Sequence, residues 1–252
     1  MEVKKHIVLF LDILGYSKFI ENCKDSQEEN LYLDKIYGLM SNLSEYIKER
    51  NIAVDQRSDV LKLSRFKSLL FSDNILFFAP YEDETDKCNL YMNLFYGLSA
   101  FLVQYEKKDL FFRGGIAEGN LFYDEKLHFV FGSGLVKAYK LESEVAKYPR
   151  IVIDKELNPP YIFVGIAKDE EETWYLDYLS LGHSLICYQN EPKQNYEHFL
   201  FCLDEQKNAI DKALQKYKND SGIFPKYEWL ARYHNDFCIK YKLNDYTVDI
   251  DL

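Results

Sequence analysis

The sequence predicts an α+β fold with a ferredoxin-like βαββαβ core and a helical C-terminal extension. Up to about residue 155, the segments follow the order strand, helix, hairpin, helix, strand, helix, strand, which is the order of that sandwich. Beyond residue 190, the apolar residues recur only at helical spacing, and no Gly/Ser-rich linker intervenes. We therefore predict a core domain over residues 1–190 and an extension over residues 191–252 that packs on it.

The first strand is an apolar run that ends in a carboxylate. Ile7–Leu11 has no polar alternation, which is typical of a strand buried on both faces, and Asp12 follows it. A buried carboxylate is costly unless a positive group meets it, and a divalent cation is the usual partner. The following turn, Leu14–Ser17, can offer backbone N–H groups to phosphates. The alternative is that Asp12 only caps the next helix.

A second carboxylate is predicted at the tip of a hairpin. Leu31–Arg50 shows amphipathic helical spacing and Asn51–Arg57 is polar and turn-like. In Val60–Pro80, two β-prone runs flank a turn that contains Asp73. If the hairpin pairs beside the first strand, Asp73 and Asp12 meet at one end of the sheet, which is the arrangement for two-metal phosphoryl chemistry. Alternatively, Asp73 is simply a good turn residue.

Paired glycines interrupt the next strand, which predicts a bulge or a close backbone approach at Gly114 and Gly115. The remaining predicted elements are a helix over Asp86–Lys107, a strand over Leu110–Gly119, a loop and short strand over Asn120–Val130, a helix over Phe131–Glu144, a short strand over Arg150–Asp154, a β pair over Trp174–Tyr188, and helices over Tyr196–Tyr217 and Phe224–Tyr241.

The composition narrows the class of protein. A net charge of −10 disfavours a long nucleic-acid groove, although metal ions can still bridge carboxylates to an anionic nucleotide. The five cysteines are scattered without a C-x-x-C pair, so neither a zinc site nor a disulfide framework is expected. No apolar run is long enough for a membrane span, and Asp12 interrupts the N-terminal one too early for a signal peptide. These features predict a cytoplasmic protein with neither a nucleic-acid nor a membrane partner.

Four motifs in this order carry a family resemblance: DILGY at 12–16, FSDN at 71–74, RGGIAEG at 113–119 and FGSGLVKAYKLE at 131–142. Together they resemble the class III nucleotidyl cyclases, and within that family the pyrimidine cyclases of the bacterial anti-phage Pycsar system. The resemblance covers roughly residues 6–155, and the later segment Trp229–Asn235 is also similar to that subgroup.

The resemblance implies a role for each motif residue. Asp12 and Asp73 correspond to the metal-binding aspartates for two Mn²⁺ or Mg²⁺ ions, Ile13 adds its backbone carbonyl, Leu14, Gly15 and Tyr16 form the turn that cradles the triphosphate, and Arg113 contacts the base or a phosphate. The alternative for Arg113 is an ordinary cation at a strand edge.

The sequence departs from the family pattern at the positions that read the nucleotide base and at the position of a catalytic arginine. Lys140 stands where the family has the arginine that steadies developing negative charge, and Val136 replaces the asparagine one turn earlier. The purine-reading positions correspond to Leu69 and Phe129, which cannot hydrogen-bond a purine edge. Phe66 can pack on a base or serve as a core aromatic. Without the resemblance, Lys140 is equally well a solvated helix lysine.

The resemblance therefore implies a homodimer with active sites at the interface that converts UTP or CTP to a 3′,5′-cyclic nucleotide and pyrophosphate. Cyclic UMP is expected ahead of cyclic CMP, as the second messenger of a defence system with a downstream cyclic-nucleotide effector. Two alternatives stay open: a purine (adenylate or guanylate) cyclase, and a catalytically silent cyclase-like module that binds a nucleotide and dimerises.

Two other enzyme classes fit less well. A palm-type polymerase or diguanylate cyclase would have a second acid at the hairpin tip, where FSDN offers only Asp73. A haloacid-dehalogenase-type phosphatase would have an aspartate two residues after the first, where Leu14 stands.

Overall fold

The structure is a computed structural model that describes residues 2–56, 66–157, 165–188 and 193–250, without the side chains of residues 43–56 and 188. The strands are β1 (Lys4–Ile13), β2 (Lys67–Phe71), β3 (Asn74–Pro80), β4 (Phe112–Asp124), β5 (Phe129–Phe131), β6 (Ile151–Ile153), β7 (Ile166–Lys168) and β8 (Trp174–Leu176). The helices are α1 (Tyr16–Asn22), α2 (Ser26–Gln56), α3 (Glu84–Glu106), α4 (Ser133–Lys140), α5 (Tyr178–Tyr188), α6 (Lys193–Tyr217) and α7 (Phe224–Lys240). A π-helical turn, Leu141–Val145, continues α4.

The strands form one mixed sheet in the order β2-β3-β1-β4-β6-β8-β7, with β5 paired to β4. The first four neighbours are antiparallel, and β1 lies between β3 and β4. This order and these directions are those of the ferredoxin-like core, so the predicted α+β fold is confirmed. The parallel pairing of β4 with β6 then extends the sheet toward β8 and β7.

The central strand β1 is buried on both faces, as its unbroken apolar run predicts. Ile7, Leu9 and Leu11 belong to the large hydrophobic cluster under α3 and α5–α7, whereas Val8 belongs to a smaller cluster that Ala138 of α4 covers. Each fully buried aliphatic side chain contributes about 1.5–3 kcal/mol relative to an exposed one. The sheet therefore fixes β1, and with it the position of Asp12, from two sides.

The C-terminal helices share the hydrophobic cluster of the sheet. Leu203, Ile210 and Leu214 of α6 are buried in it, as the helical spacing predicts, together with Leu230 and Phe237 of α7. The predicted division at residue 190 lies between α5 and α6, and it stays a prediction because both sides contribute to this one cluster. In the described part of the chain, no helix combines the length and apolar character that crossing a membrane requires.

Aromatic rings around Arg150 join the start of β6 to α7. The Arg150 guanidinium carbon lies 5.4–5.7 Å from the ring centroids of Tyr148, Tyr175 and Trp229, and an ion pair with Asp169 neutralises the charge. Trp229 stacks on Tyr148 with an interplanar angle of 4°. Cation–π contacts at a desolvated site such as this one are worth about 2 kcal/mol. The first residue of the Trp229–Asn235 segment thus has a structural role.

One predicted element is wrong: Trp174–Tyr188 is not a β pair. Only β8 is a strand, and α5 follows it directly. Asp177 explains the change, because its side chain accepts a hydrogen bond from Ser180 N at 3.2 Å and its carbonyl accepts one from Leu181 N. An aspartate that binds these otherwise unpaired N–H groups starts a helix. The second strand predicted for this segment is therefore replaced by a helix that Asp177 caps.

Several predicted boundaries shift. Helix α2 begins earlier and runs through the segment predicted as a turn over Asn51–Arg57, as far as Gln56, and Asp25 caps its start by accepting from Gln27 N and Glu28 N. The hairpin is confirmed as β2 and β3 around Ser72 and Asp73, while residues 57–65 lie outside the described residues.

Strand β4 runs without a break through Gly114 and Gly115, so the predicted interruption is wrong and the predicted close approach is confirmed. A Cβ at Gly115 would lie 2.5 Å from both Ala138 O and Leu141 Cβ. Because real Cβ atoms do not come this close, only glycine lets the end of α4 and the π-helical turn pack on the strand. This contact brings Glu142 over β4 beside Arg113.

Candidate functional site

A cleft of about 260 Å³ lies at the end of β1 where Asp12 sits. Four parts of the chain form it: the β1–α1 turn, the β2–β3 turn, the start of β4 and the C-terminal extension. The lining residues are Asp12, Ile13, Leu14, Gly15, Tyr16, Ser17, Lys18, Asp73, Arg113, Tyr217, Ile223, Lys226 and Tyr227. The cleft thus contains seven of the residues that the sequence singled out.

Asp12 and Asp73 meet at this end of the sheet, as the hairpin argument predicted. In the β1–β3 register Asp12 faces Asn74, and Ile13 N donates to Asp73 O at 3.1 Å. Asn74 Nδ2 also donates to Asp73 Oδ1 at 3.0 Å, which fixes that carboxylate. Both side chains line the cleft, and the charge of Asp73 acts on Asp12. Residues 61 positions apart in the chain are therefore brought into one acidic pair.

Arg113 is held between two carboxylates. Its Nε donates to Asp12 Oδ2 at 2.8 Å and lies 2.8 Å from Glu142 Oε1. The N–H is directed at Asp12, so Glu142 Oε1 is buried without a hydrogen bond among the described residues. A buried acceptor without a donor costs about 1–3 kcal/mol. The quoted motif at 131–142 ends on Glu142, but sequence reasoning did not single it out.

The two carboxylates that contact Arg113, Asp12 and Glu142, have raised pKa values. Burial raises the pKa of Asp12, the bonded Arg113 opposes the shift, and the nearby charge of Asp73 adds to it. Burial also raises the pKa of Glu142, which Arg113 lowers and the two aspartates raise further. An additional cation would therefore lower the electrostatic free energy of this site.

The turn after β1 requires its glycine. Gly15 has φ 85°, in the left-handed region where a Cβ is strained, and α1 begins at the next residue, Tyr16. Leu14 N donates to Phe111 O at 2.9 Å, which ties the turn to the start of β4. Leu14, Gly15 and Tyr16 all line the cleft, beside both aspartates.

The far wall of the cleft comes from the extension, which sequence reasoning missed. Tyr217 stacks on Tyr227 with an interplanar angle of 2°, and Lys226 lies beside them on α7. An ion pair between Lys18 and Asp220 joins α1 to the loop between α6 and α7. No sequence signal pointed here, because these residues lie about 200 positions after Asp12 and belong to none of the four motifs.

The other predicted residues are not brought to this cleft. Lys140 and Val136 are exposed on α4, and Phe129 is 50% exposed on β5. Leu69 packs against the smaller hydrophobic cluster and Phe66 against the larger one. Within a single chain, the core-aromatic alternative for Phe66 thus fits its surroundings.

Asp12 and Asp73 are the candidate ligands of the two predicted metal ions. Within residues 2–56, 66–157, 165–188 and 193–250, no group of three or more His, Cys, Asp or Glu side chains forms a metal site by itself. Asp12, Asp73 and the Ile13 carbonyl offer oxygen ligands only, which suit Mg²⁺ and Mn²⁺. Because Mg²⁺ is commonly bound by one or two carboxylates together with water and substrate phosphates, the donor set fits an ion that arrives with its substrate.

Comparison with known proteins gives little beyond this geometry. No family model matches the chain, and no curated protein matches it. Among solved structures the chain is similar to the adenylyl cyclase CyaB from P. aeruginosa, with 14% sequence identity, coverage of 62% of this chain and 79% of that chain, and a TM-score of 0.39. A likeness at this level does not identify an activity, which has to be argued from the site.

Proposed function

We propose that the protein is a metal-dependent nucleotidyl cyclase that converts a pyrimidine nucleoside triphosphate to its 3′,5′-cyclic monophosphate and pyrophosphate. The observation that carries the proposal is the acidic pair Asp12–Asp73 beside the Gly15 turn, at the edge of a ferredoxin-like sheet. Paired carboxylates next to a glycine turn suit a substrate that brings both metal ions and phosphates.

Different residues of the cleft have different roles in the proposed reaction. Asp12, Asp73 and the Ile13 carbonyl would hold the ions, whose bound charge would polarise the ribose 3′-hydroxyl and neutralise the phosphate oxygens. The turn Leu14–Tyr16 orients the triphosphate. The 3′-oxygen attacks the α-phosphorus, the bond to the bridging oxygen breaks, pyrophosphate leaves, and the hydroxyl proton passes to water. Catalysis is then mainly positioning and charge stabilisation.

A homodimer is part of the proposal, because Lys140 lies outside the cleft of its own chain. In a dimer, Lys140 of one copy would face the aspartates of the other and stabilise the developing negative charge. An exposed apolar surface on β5 and α4 supports this arrangement. Phe129, Phe131, Val136 and Tyr139 are each at least 50% exposed. Burying such a patch against a second copy is a common use of exposed apolar surface.

The proposed base preference rests on what the chain lacks. Leu69 and Phe129 have no group that can hydrogen-bond a purine edge, which favours a pyrimidine. We put cyclic UMP ahead of cyclic CMP, in the role of an anti-phage second messenger read by a cyclic-nucleotide effector.

The direct test incubates purified protein with each of the four nucleoside triphosphates and Mn²⁺, followed by chromatography of the products. We expect a cyclic pyrimidine nucleotide and pyrophosphate. Asp12→Asn and Asp73→Asn are expected to lower the rate by about 10³-fold or more, because each removes a charged ligand from the reacting phosphates. Undiminished turnover in both variants would refute the metal assignment.

The matched control is Asp83→Asn, which changes an aspartate that caps the start of α3 outside the cleft and should leave turnover unchanged. Mixing Asp12→Asn with Lys140→Ala is expected to restore activity, since one composite site in the mixed dimer would be intact. If the product were cyclic AMP or cyclic GMP, the proposed pyrimidine preference would be wrong and the proposed cyclase reaction would stand.

A silent nucleotide-binding module is the second candidate. It is favoured by the bond from Arg113 Nε to Asp12 Oδ2, which occupies one metal-facing oxygen, and by a lysine at position 140. This candidate predicts binding of a nucleoside triphosphate without turnover of any of the four.

A further inference from the structure

We propose that Lys226, supplied by the C-terminal extension, binds the polyphosphate chain of the substrate in the same subunit as Asp12 and Asp73. This inference rests on the proposed function and adds a phosphate-binding residue that lies outside the four motifs. It makes the extension part of the active site.

Lys226 lies in the same cleft as the proposed metal ligands. Lys226 lines the cleft together with both aspartates, Arg113 and the Gly15 turn. Its ammonium group is close enough to Asp12 and Arg113 for both charges to act on it. The cleft thus has metal-binding carboxylates on one side and a primary amine on the other. A triphosphate that carries its cations to the carboxylates would present its outer oxygens to that amine.

The Lys226 side chain is unpaired within the part of the chain that the structure describes. Among the described residues, no carboxylate lies within ion-pair distance of its Nζ, and no hydrogen bond from its side chain is formed. It is nevertheless half-buried. Burial lowers the pKa of Lys226 and the positive charge of Arg113 lowers it further, while Asp12 and Asp220 oppose this shift without cancelling it. A half-buried cation beside another cation is unfavourable in the free protein, and an anionic ligand between them would remove that cost.

Lys18, the other lysine of the cleft, differs from Lys226 because it has an ion-pair partner. Lys18 also lines the cleft, but its charge is taken up by the ion pair with Asp220. Asp220 also accepts hydrogen bonds from Gly222 N and Ile223 N at 3.0 Å, which order the chain immediately before α7. Lys18 and Asp220 thus hold the extension against α1, and Lys226 is the cation left for a ligand.

The experiment measures binding without turnover, by titrating inorganic tripolyphosphate in Mg²⁺ into the full chain by calorimetry. We expect Lys226→Met to weaken binding about tenfold or more, because a charge-assisted contact is lost, and Lys226→Arg to retain most of it. Lys193→Met is the matched control, since it removes the same charge from the extension at a side chain that is 90% exposed. It should bind like the unaltered protein.

A thermal-unfolding scan without ligand accompanies the titration. Lys226→Met is expected to unfold at an equal or higher temperature, because an unpaired half-buried cation has been removed, so weakened binding cannot be ascribed to misfolding. Equal tripolyphosphate affinity in Lys226→Met and the unaltered protein would overturn the role of Lys226 and leave the proposed reaction standing. If the unaltered protein bound neither tripolyphosphate nor any nucleoside triphosphate, the proposed function would fail and this inference with it.

Discussion

Two clusters of ionisable side chains in this protein are built in opposite ways. At the cleft, Asp12 and Glu142 share Arg113, Asp73 lies beside Asp12, and Glu142 Oε1 lacks a hydrogen bond among the described residues. Where α6 and α7 of the extension pack on α3, Glu106 and His234 are at most 1% exposed and are bridged by the side-chain amide of Gln206. The first cluster has surplus negative charge beside open space, and the second is closed and paired.

The closed cluster shows what a structural polar network requires. Tyr178 OH donates to Glu106 Oε2 at 2.6 Å, and Gln206 Nε2 donates to Tyr178 OH at 2.9 Å. His234 Nε2 donates to Tyr246 O at 2.9 Å, which ties α7 to the following turn. Buried polar groups are tolerated when they are bonded in this way. The cleft differs, because Glu142 Oε1 beside it has no hydrogen bond among the described residues. We expect such unbonded polar groups at a site that receives a charged ligand.

The largest expected effect on stability comes from breaking the closed network. Gln206→Leu leaves Glu106 and His234 buried without their common partner, so we expect the free energy of unfolding to fall by about 3 kcal/mol. Gln215→Leu makes the same change at an exposed position of α6 and should stay within about 0.5 kcal/mol. Urea denaturation measures both. Equal losses in the two variants would mean that the network adds no stability.

The next effect is a pH dependence that distinguishes the network from the cleft. Burial raises the pKa of Glu106 to about 8, against the hydrogen bonds from Tyr178 and Gln206. The folded protein therefore keeps a proton that the unfolded chain has lost, and stability falls as pH rises toward 8, by about 1.4 kcal/mol per pH unit. Burial lowers the pKa of His234 to about 4, so its opposite contribution, lost as the pH falls, is confined to pH below about 6.5.

Between pH 6.5 and 8 the Glu106 contribution thus stands without that of His234. Glu106→Gln keeps a neutral, isosteric group and should flatten the slope of unfolding free energy against pH in this window. Urea denaturation at intervals of half a pH unit provides the comparison. An unchanged slope in the variant would show that Glu106 does not titrate there.

The smallest effect is expected in the cleft. Arg113→Met removes the cation bonded to Asp12, and we expect the free energy of unfolding to fall by about 1 kcal/mol at pH 8 without metal, because the site is partly open and screened. Saturating Mn²⁺ should restore most of that loss, since an ion replaces the missing charge. Arg232→Met, an exposed arginine on α7 paired with Glu228, serves as the control. A loss that Mn²⁺ leaves unchanged would count against a cation site.

Most of the core was predictable because hydrophobic periodicity determines it. The unbroken run of β1, the hairpin around Asp73 and the spacing of α3 and α6 each indicated the observed element. The failures were local. The helix α5 depends on the cap formed by Asp177, and the early start of α2 depends on Asp25. A single side chain that binds a backbone N–H group outweighs the pattern of a short segment.

The site was predictable only where it depends on sheet register. Asp12 and Asp73 could be paired from the strand order, because neighbouring strands end together. Glu142 could not be, since it reaches Arg113 through a π-helical turn and the contact at Gly115. Lys226 could not be either, because the packing of α7 beside the β1–α1 turn is a tertiary arrangement that no local pattern encodes.

The ring-lined pocket of Arg150 has a mechanical consequence. It clamps α7 to the start of β6, which pairs with β4 at Gly114, one residue after Arg113. The position of the Lys226 amine relative to the acidic pair therefore depends on how Trp229 stacks. Trp229 follows Lys226 by three residues on the same helix, so this stacking also holds the wall of the cleft that α7 supplies.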